Sequence, residues 1–182
     1  MRVIAGKYKS RVLAEFAGED VRPTSDRAKE ALFNILSLKL YGARVLDLFA
    51  GSGALGIESL SRGAKEVIFN DLSKDSIAIL KKNLTALKVE QGKEVKVLNY
   101  DFSVCLDRVD KGFDLIFIDP PYAFDYGVPA MDKIVKRSLL NDDGIIVYER
   151  DRAFDGEVKG LEIFDERKYG KAYLTFFRKA KE

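Results

Sequence analysis

The tetrapeptide Asp119-Pro120-Pro121-Tyr122 closes the apolar run Phe113–Ile118. Two consecutive prolines stiffen the backbone and leave neither residue an N–H, so the segment presents hydrogen-bond acceptors and one aromatic ring. That combination suits the exocyclic amine of a nucleobase, whose lone pair is delocalised into the ring. With Asp119 and the Pro120 carbonyl accepting from its two N–H groups, the nitrogen turns its lone pair toward an electrophile, and the charge that develops during attack is stabilised. Tyr122 adds a face on which an unpaired or flipped base stacks. Read in isolation, the same four residues also fit a Pro-Pro turn with a helix-capping aspartate.

A second constellation lies upstream. Val45-Leu46-Asp47-Leu48-Phe49-Ala50-Gly51-Ser52-Gly53-Ala54-Leu55-Gly56 carries the G-x-G-x-x-G spacing between a strand-like run and a helix-like one. Glycines there allow a tight turn and close backbone approach to a ligand, while the helix presents its first N–H groups. Asp71 closes the next strand-like run, roughly 20 residues past the first glycine, where an acidic side chain reaches ribose hydroxyls. A nucleoside-containing cofactor follows, either a dinucleotide or S-adenosylmethionine. Asp47 favours the latter, because its carboxylate repels a pyrophosphate but holds the ammonium of a methionine moiety. Asp101 ends a third run and reads equally as an acceptor for the adenine amine, with Phe102 against the ring, or as a helix N-cap.

Composition removes competing chemistries. The chain has 182 residues, no histidine and one cysteine, Cys105. Without histidine, zinc chemistry and Ser-His-Asp hydrolysis lose their usual groups, and no metal is expected. Cys105 reads as a small core residue rather than a nucleophile. No apolar run is long enough to span a membrane and the basic opening lacks a signal-like apolar stretch, so a cytoplasmic protein, expected as a monomer, is implied. The net charge of +2 is unevenly spread: Arg2, Lys7, Lys9 and Arg11 precede the first acidic residue. Such a run is either a phosphate-backbone footprint or a solvated terminal face.

The elements that must position these residues follow from periodicity. Val3–Ala5 and Tyr8–Leu13 around Gly6 read as a small hairpin, which would set Lys7, Lys9 and Arg11 on one face. Ala28, Ala31, Leu32, Ile35, Leu36 and Leu38 predict a helix running to about Lys39. From Ala43 onward strands alternate with helices: Arg44–Phe49, Glu66–Asn70, Val95–Tyr100, Phe113–Ile118 and Gly144–Tyr148 are separated by helical runs, the last around Met131–Leu140. Leu161–Glu166 and Ala172–Phe177 flank Tyr169-Gly170-Lys171 as a hairpin does. An α/β fold results, with a mostly parallel sheet covered on both faces and ending in an antiparallel hairpin. Residues 1–42 are expected to form an extension for RNA docking and pocket cover, and 43–182 the main domain.

Met1-Arg2-Val3-Ile4-Ala5-Gly6-Lys7-Tyr8, Arg22-Pro23-Thr24-Ser25-Asp26-Arg27, Ala31-Leu32-Phe33-Asn34-Ile35-Leu36, Asp47–Gly63 and Asp119–Tyr122 together resemble the RsmD family, bacterial methyltransferases acting on the N2 amine of a guanine in small-subunit (16S) ribosomal RNA. The resemblance covers nearly the whole chain. It implies a seven-stranded, Rossmann-like class I S-adenosylmethionine-dependent methyltransferase sheet. Gly51 and Gly53 would lie at the methionine end of S-adenosyl-L-methionine, Asp71 at the ribose, Asp101 and Phe102 at the adenine, and Asp119, Pro120, Pro121 and Tyr122 at the base, with Asp47, Phe49, Ser52 and Leu72 also among the cofactor-binding residues. Arg2, Lys7, Lys9, Arg11 and Arg22 would face ribosomal RNA, and Arg22–Asp26 would run beside the cofactor pocket. Amino-methyltransferases of DNA adenine and protein glutamine share the Asp-Pro-Pro-Tyr type of motif, so that motif alone leaves those substrates open. An oxidoreductase and a catalytically silent RNA-binding module are the remaining alternatives, the first opposed by Asp47 and the missing histidine, the second by the intact Asp119 and Gly51–Gly56.

Overall fold

A computed structural model describes residues 1–16 and 25–181. Its elements in chain order are α1 (Asp26–Ile35), α2 (Ser37–Leu40), β1 (Arg44–Asp47), α3 (Ala54–Ser61), β2 (Glu66–Asn70), α4 (Lys74–Ala86), β3 (Val95–Leu98), α5 (Phe102–Arg108), β4 (Phe113–Ile118), α6 (Gly127–Lys136), β5 (Leu140–Arg150), β6 (Leu161–Tyr169) and β7 (Ala172–Lys179). The seven strands form one sheet in the order β3-β2-β1-β4-β5-β7-β6. All pairings from β3 to β5 are parallel, whereas β7 runs antiparallel to both neighbours. The expected architecture is therefore present in full.

Strand residues are apolar on both faces because both faces are covered. Along β4, Leu115 and Phe117 join the core that includes α1, α3 and α4, while Ile116 and Ile118 join the core formed with α5 and α6. Cys105 lies in the second core, where burial pushes its thiol up to about 12, so it is an inert packing residue. The terminal hairpin turns through Gly170 and Lys171 alone, since Tyr169 pairs with Ala172; the left-handed conformation is confined to Gly170 (φ 61), the residue a β-branched or bulky side chain could not replace cheaply.

Three local expectations are corrected. The predicted helix to Lys39 breaks at Leu36 into α1 and α2, and its buried face comprises Ala28, Lys29, Leu32 and Phe33, with Leu36 and Leu40 beyond it. Leu38 is 97% exposed. The apolar spacing was shared by two faces, and the buried Lys29 hid the true one. The helix expected around Met131–Leu140 instead starts at Gly127 and ends at Lys136, after which Ser138 turns left-handed (φ 51) and Leu140 opens β5. The N-terminal hairpin shrinks to one antiparallel bridge, Arg2↔Val12, with turns over residues 7–10. Its amides are taken elsewhere: Ile4 and Ala5 donate to the Glu58 carboxylate at 2.9 and 3.1 Å, and Tyr8 donates to Ser61 Oγ at 2.9 Å. A ladder cannot form with amides already committed to α3.

Glu58 is the centre of this attachment. It is fully buried, pairs with Arg62 at 2.8 Å and with Lys29 Nζ at 3.5 Å, and Lys29 Nζ also donates to the Arg2 carbonyl. Burial lowers the Lys29 pKa while Glu58 opposes the shift. Among the described residues no helix is long and apolar enough to cross a membrane.

Candidate active site

Strand order reverses at β1 and β4: β2 and β3 extend the sheet one way, β5 the other. In open parallel sheets ligands bind outside the carboxyl ends of the strands at such a switch point. A cavity of about 890 Å3 occupies that place, and its walls carry Asp47 at the end of β1 and Phe49 beyond it, Asn70 at the end of β2 and Asp71 and Leu72 beyond it, Asp101 and Phe102 after β3, and Asp119, Pro120, Pro121 and Tyr122 after β4. Gly51 and Ser52 complete it from the glycine loop, and Met1, Glu15 and Phe16 from the N-terminal segment. Twelve of the thirteen sequence-derived cofactor and base residues thus converge, all but Gly53, although they are spread over more than seventy positions.

The loop between β1 and α3 is held from several directions. Gly51 (φ 55) and Gly53 (φ 86) are left-handed. Gly51 N–H donates to Asp71 Oδ2 at 2.8 Å, and Gly56 N–H donates to Asp47 Oδ2 at 2.9 Å. Asn83 of α4 donates to the Ser52 carbonyl at 2.9 Å and exchanges hydrogen bonds with the Ala14 backbone. Gly53 differs from its neighbour in standing behind the loop: it is buried, serves as N-cap of α3, and is absent from the cavity wall.

The acids do more than face a ligand. Asp71 accepts from Gly51 through one oxygen and from Ser73 N–H through the other, at 2.8 Å each, so it braces the loop as well as lining the cavity. Asp47 is 1% exposed, and burial, opposed by the Gly56 amide and increased by the Asp71 charge, pushes its carboxyl up to about 7. Asp101 caps α5 by accepting from Ser103 N–H at 2.9 Å while still lining the cavity, so both of its sequence readings hold at once. Asp119 is raised well above the usual carboxylate range, first by burial, then by the Glu149 charge and then by Asp47. Such clustering of perturbed acids in a cleft marks a functional centre.

Sequence reasoning missed an aromatic wall. Phe102 lies 5.1 Å from Tyr126 and 5.7 Å from Phe49, and Tyr126 stacks on Phe124 at 5.1 Å. Phe124 and Tyr126 follow the Asp-Pro-Pro-Tyr motif directly, and aromatics at two-residue spacing there were the available signal. Asn70 shows only as a polar strand end, and Asn83 and Glu149 show nothing, because each acts through partners distant in sequence. The basic run is spread out: Lys7 and Lys9 are exposed, Arg2 pairs with Asp26 at 3.5 Å, and Arg11 donates to the Ala86 carbonyl at 2.7 Å to cap α4. They do not share a strand face, since residues 7–10 are turns. Arg22 lies outside the described residues.

A family model described as conserved hypothetical protein 95 matches residues 1–178. Bacillus subtilis YlbH is 39% identical over 98% of this chain and 99% of its own. The ribosomal RNA small subunit methyltransferase D of Haemophilus influenzae is 38% identical over 84% of this chain and 79% of its own. Among solved structures, yhhF from Escherichia coli superposes with a TM-score of 0.86 at 28% identity, covering 98% of this chain and 97% of that one. With sequence and fold in agreement over nearly its full length, the chain belongs to the conserved hypothetical protein 95 family, the RsmD family.

Proposed function

We propose that the protein transfers a methyl group from S-adenosyl-L-methionine to the exocyclic N2 of a guanine in small-subunit (16S) ribosomal RNA. The observation that carries this reading is the meeting of Asp119–Tyr122 and the glycine loop in one cavity at the strand-order reversal. The naming of relatives as ribosomal RNA small subunit methyltransferases D, at 38% and 32% identity, supports the substrate class. The work would be done in the cytoplasm by a monomer.

The donor set fits the cofactor. Gly51 has open space where a Cβ would stand, carboxylates surround the cavity where cations are to be held, and Phe49 and Phe102 offer ring faces for adenine. When bound, S-adenosylmethionine supplies an electrophilic methyl on a sulfonium. Asp47 would hold the methionine ammonium, Asp71 the ribose hydroxyls, and Asp101 with Phe102 the adenine. Asp119 and the Pro120 carbonyl would accept from the amine N–H groups and aim its lone pair; Tyr122, 45% exposed, would stack on the base. Asp119, with its raised affinity for a proton, is also the group placed to take the proton that the methylated nitrogen must lose.

The test supplies labelled S-adenosylmethionine with, separately, 16S RNA, small subunits lacking the modification, duplex DNA and cell protein. Label recovered as N2-methylguanosine in 16S RNA is expected; label confined to DNA or protein overturns the reading.

Cofactor affinity should depend on pH. Asp47 titrates at about 7 without ligand, and a bound cation favours its charged form, so binding expels a proton whenever the pH lies below that value. Affinity is expected to be roughly tenfold weaker at pH 6 than at pH 8, where the carboxylate is already ionised. Calorimetry in buffers of different ionisation enthalpy checks this, since proton release must appear at pH 6 and fade at pH 8.

Residues 1–42 would cover the pocket through Met1, Glu15 and Phe16 and dock RNA through exposed lysines. Arg11 is tied to α4, so the informative variant replaces Lys7 and Lys9 together by Ala. Each lost phosphate contact should flatten the log K against log salt slope by about 0.7 to 0.9. Filter binding across a salt series that gives an unchanged slope would assign docking to another surface.

A further inference from the structure

Two parts of the larger cavity's wall come from segments far apart in the chain: Glu15 and Phe16 from the N-terminal segment, Gly51 and Ser52 from the glycine loop. Among the described residues no backbone hydrogen bond joins these segments directly. A side chain of α4 does so instead. That helix already supplies Ser76 to the cavity wall, and Asn83 stands about two turns further along the same face. Asn83 is 2% exposed. Its Oδ1 accepts from the Ala14 N–H at 2.7 Å, while its Nδ2 donates to the Ala14 carbonyl at 3.0 Å and to the Ser52 carbonyl at 2.9 Å.

The partners fix the orientation of this amide, because one N–H faces its oxygen and two carbonyls face its nitrogen, so both donors are used. No other side chain of similar size offers that set: aspartate and leucine both lack the two donors. The remaining attachments of the N-terminal segment lead elsewhere. Glu58 and Ser61 hold the amides of Ile4, Ala5 and Tyr8 on α3, and Arg11 holds the Ala86 carbonyl at the end of α4. None of these reaches the glycine loop. Asn83 binds the residue directly before Glu15 and, with the same nitrogen, a carbonyl of the loop.

We infer that Asn83 is a positioning residue for the cofactor: by tying Ala14 to Ser52 it holds Glu15 and Phe16 in the cavity wall and couples the N-terminal segment to occupancy of the glycine loop. This rests on S-adenosylmethionine binding in the larger cavity. Asn83 is absent from that cavity's wall, so it acts through the residues it holds. Coupling of this kind is reciprocal. Whatever affinity the bridge adds for the cofactor, the bound cofactor returns as resistance of the bridge to opening, and the Ala14 amide reports that opening by hydrogen exchange.

The experiment uses the full chain with S-adenosylhomocysteine as probe, followed by calorimetry and by residue-resolved amide exchange. In the wild type, saturating probe is expected to slow exchange of the Ala14 amide about fivefold or more, although Ala14 does not line the cavity. Asn83→Asp keeps the acceptor for the Ala14 N–H but sets an oxygen against the Ala14 and Ser52 carbonyls. It is expected to weaken probe binding about tenfold or more and to reduce the slowing at Ala14 to less than about twofold. Ser61→Ala is the control: it frees the Tyr8 N–H and the Ala5 carbonyl and leaves the Asn83 bridge alone. That variant should lower Tm while probe affinity stays within about twofold. Wild-type affinity in Asn83→Asp overturns the assignment, and so does an equal loss of affinity in Ser61→Ala, which would trace the effect to general loosening of the segment. Where Asn83→Asp fails to fold, the wild-type exchange decides, since probe binding without slowing at Ala14 overturns the coupling. A wild type that does not bind the probe removes the cofactor reading itself, and this inference falls with it.

Discussion

Asp119→Ala should abolish measurable methyl transfer, lowering the rate about a hundredfold or more, while S-adenosylmethionine binds with an affinity within a few-fold of wild type. The substitution removes the acceptor facing the attacking amine, and the loop that would hold the cofactor is braced by other groups: Asp71 on Gly51, Asp47 on Gly56 and Asn83 on Ser52. A buried carboxylate beside Glu149 and Asp47 is also a source of strain, since burial and like charge both favour its neutral form. Removing it should leave the protein without cofactor at least as stable as before at neutral pH. The sign follows from linkage: a carboxyl whose folded pKa is raised contributes stability that is present at low pH and lost as pH rises through the folded value. Activity runs the opposite way, because ionised Asp119 is the stronger acceptor for the amine and the only form able to take its proton, so single-turnover rates should fall as pH drops below its elevated pKa. A folded Asp119→Ala protein with near-wild-type turnover would remove Asp119 from the chemistry.

The fold was legible because it repeats one rule. Alternation of apolar strand and amphipathic helix specifies a parallel sheet, and each strand end then announces itself with a polar residue: Asp47, Asn70, Asp101 just beyond β3, Asp119. What escaped was every role made by partners far apart in sequence. Glu58, inside a helix of the glycine-loop segment, reads as a surface residue; it is fully buried because Lys29, Arg62 and the amides of Ile4 and Ala5 converge on it. The same convergence explains the missing N-terminal hairpin. Asn83 reads as an ordinary helix position, yet one side chain joins the N-terminal segment at Ala14 to the cofactor loop at Ser52. Buried polar groups of this kind obey hydrogen-bond satisfaction, which a sequence pattern does not display.

The glycine loop distinguishes fit to a ligand from fit to the protein's own core, and two alanine substitutions should separate them. In Gly51→Ala the added Cβ meets no protein atom within 4 Å, because that space belongs to the cavity. The left-handed backbone (φ 55) costs about 1 kcal/mol for a non-glycine residue, equivalent to a fall in Tm of about 2–4 °C at this chain length. Binding should suffer more, since the methyl occupies the surface that the cofactor must approach; a loss of at least tenfold in affinity is expected. In Gly53→Ala the Cβ lies 2.3 Å from Leu80 Cδ1 and 3.2 Å from Ile57 Cδ1, at φ 86. Leu80 is fully buried, so the clash is relieved only by displacing core side chains, and the overpacking and backbone terms together amount to about 2–4 kcal/mol. Gly53→Ala should therefore lower Tm by about 5–15 °C. Thermal unfolding and calorimetry on both variants give the comparison. Gly51→Ala with undiminished affinity would show that no ligand packs against Gly51, and Gly53→Ala with wild-type Tm would show that the α3–α4 contact yields more readily than a packed core does.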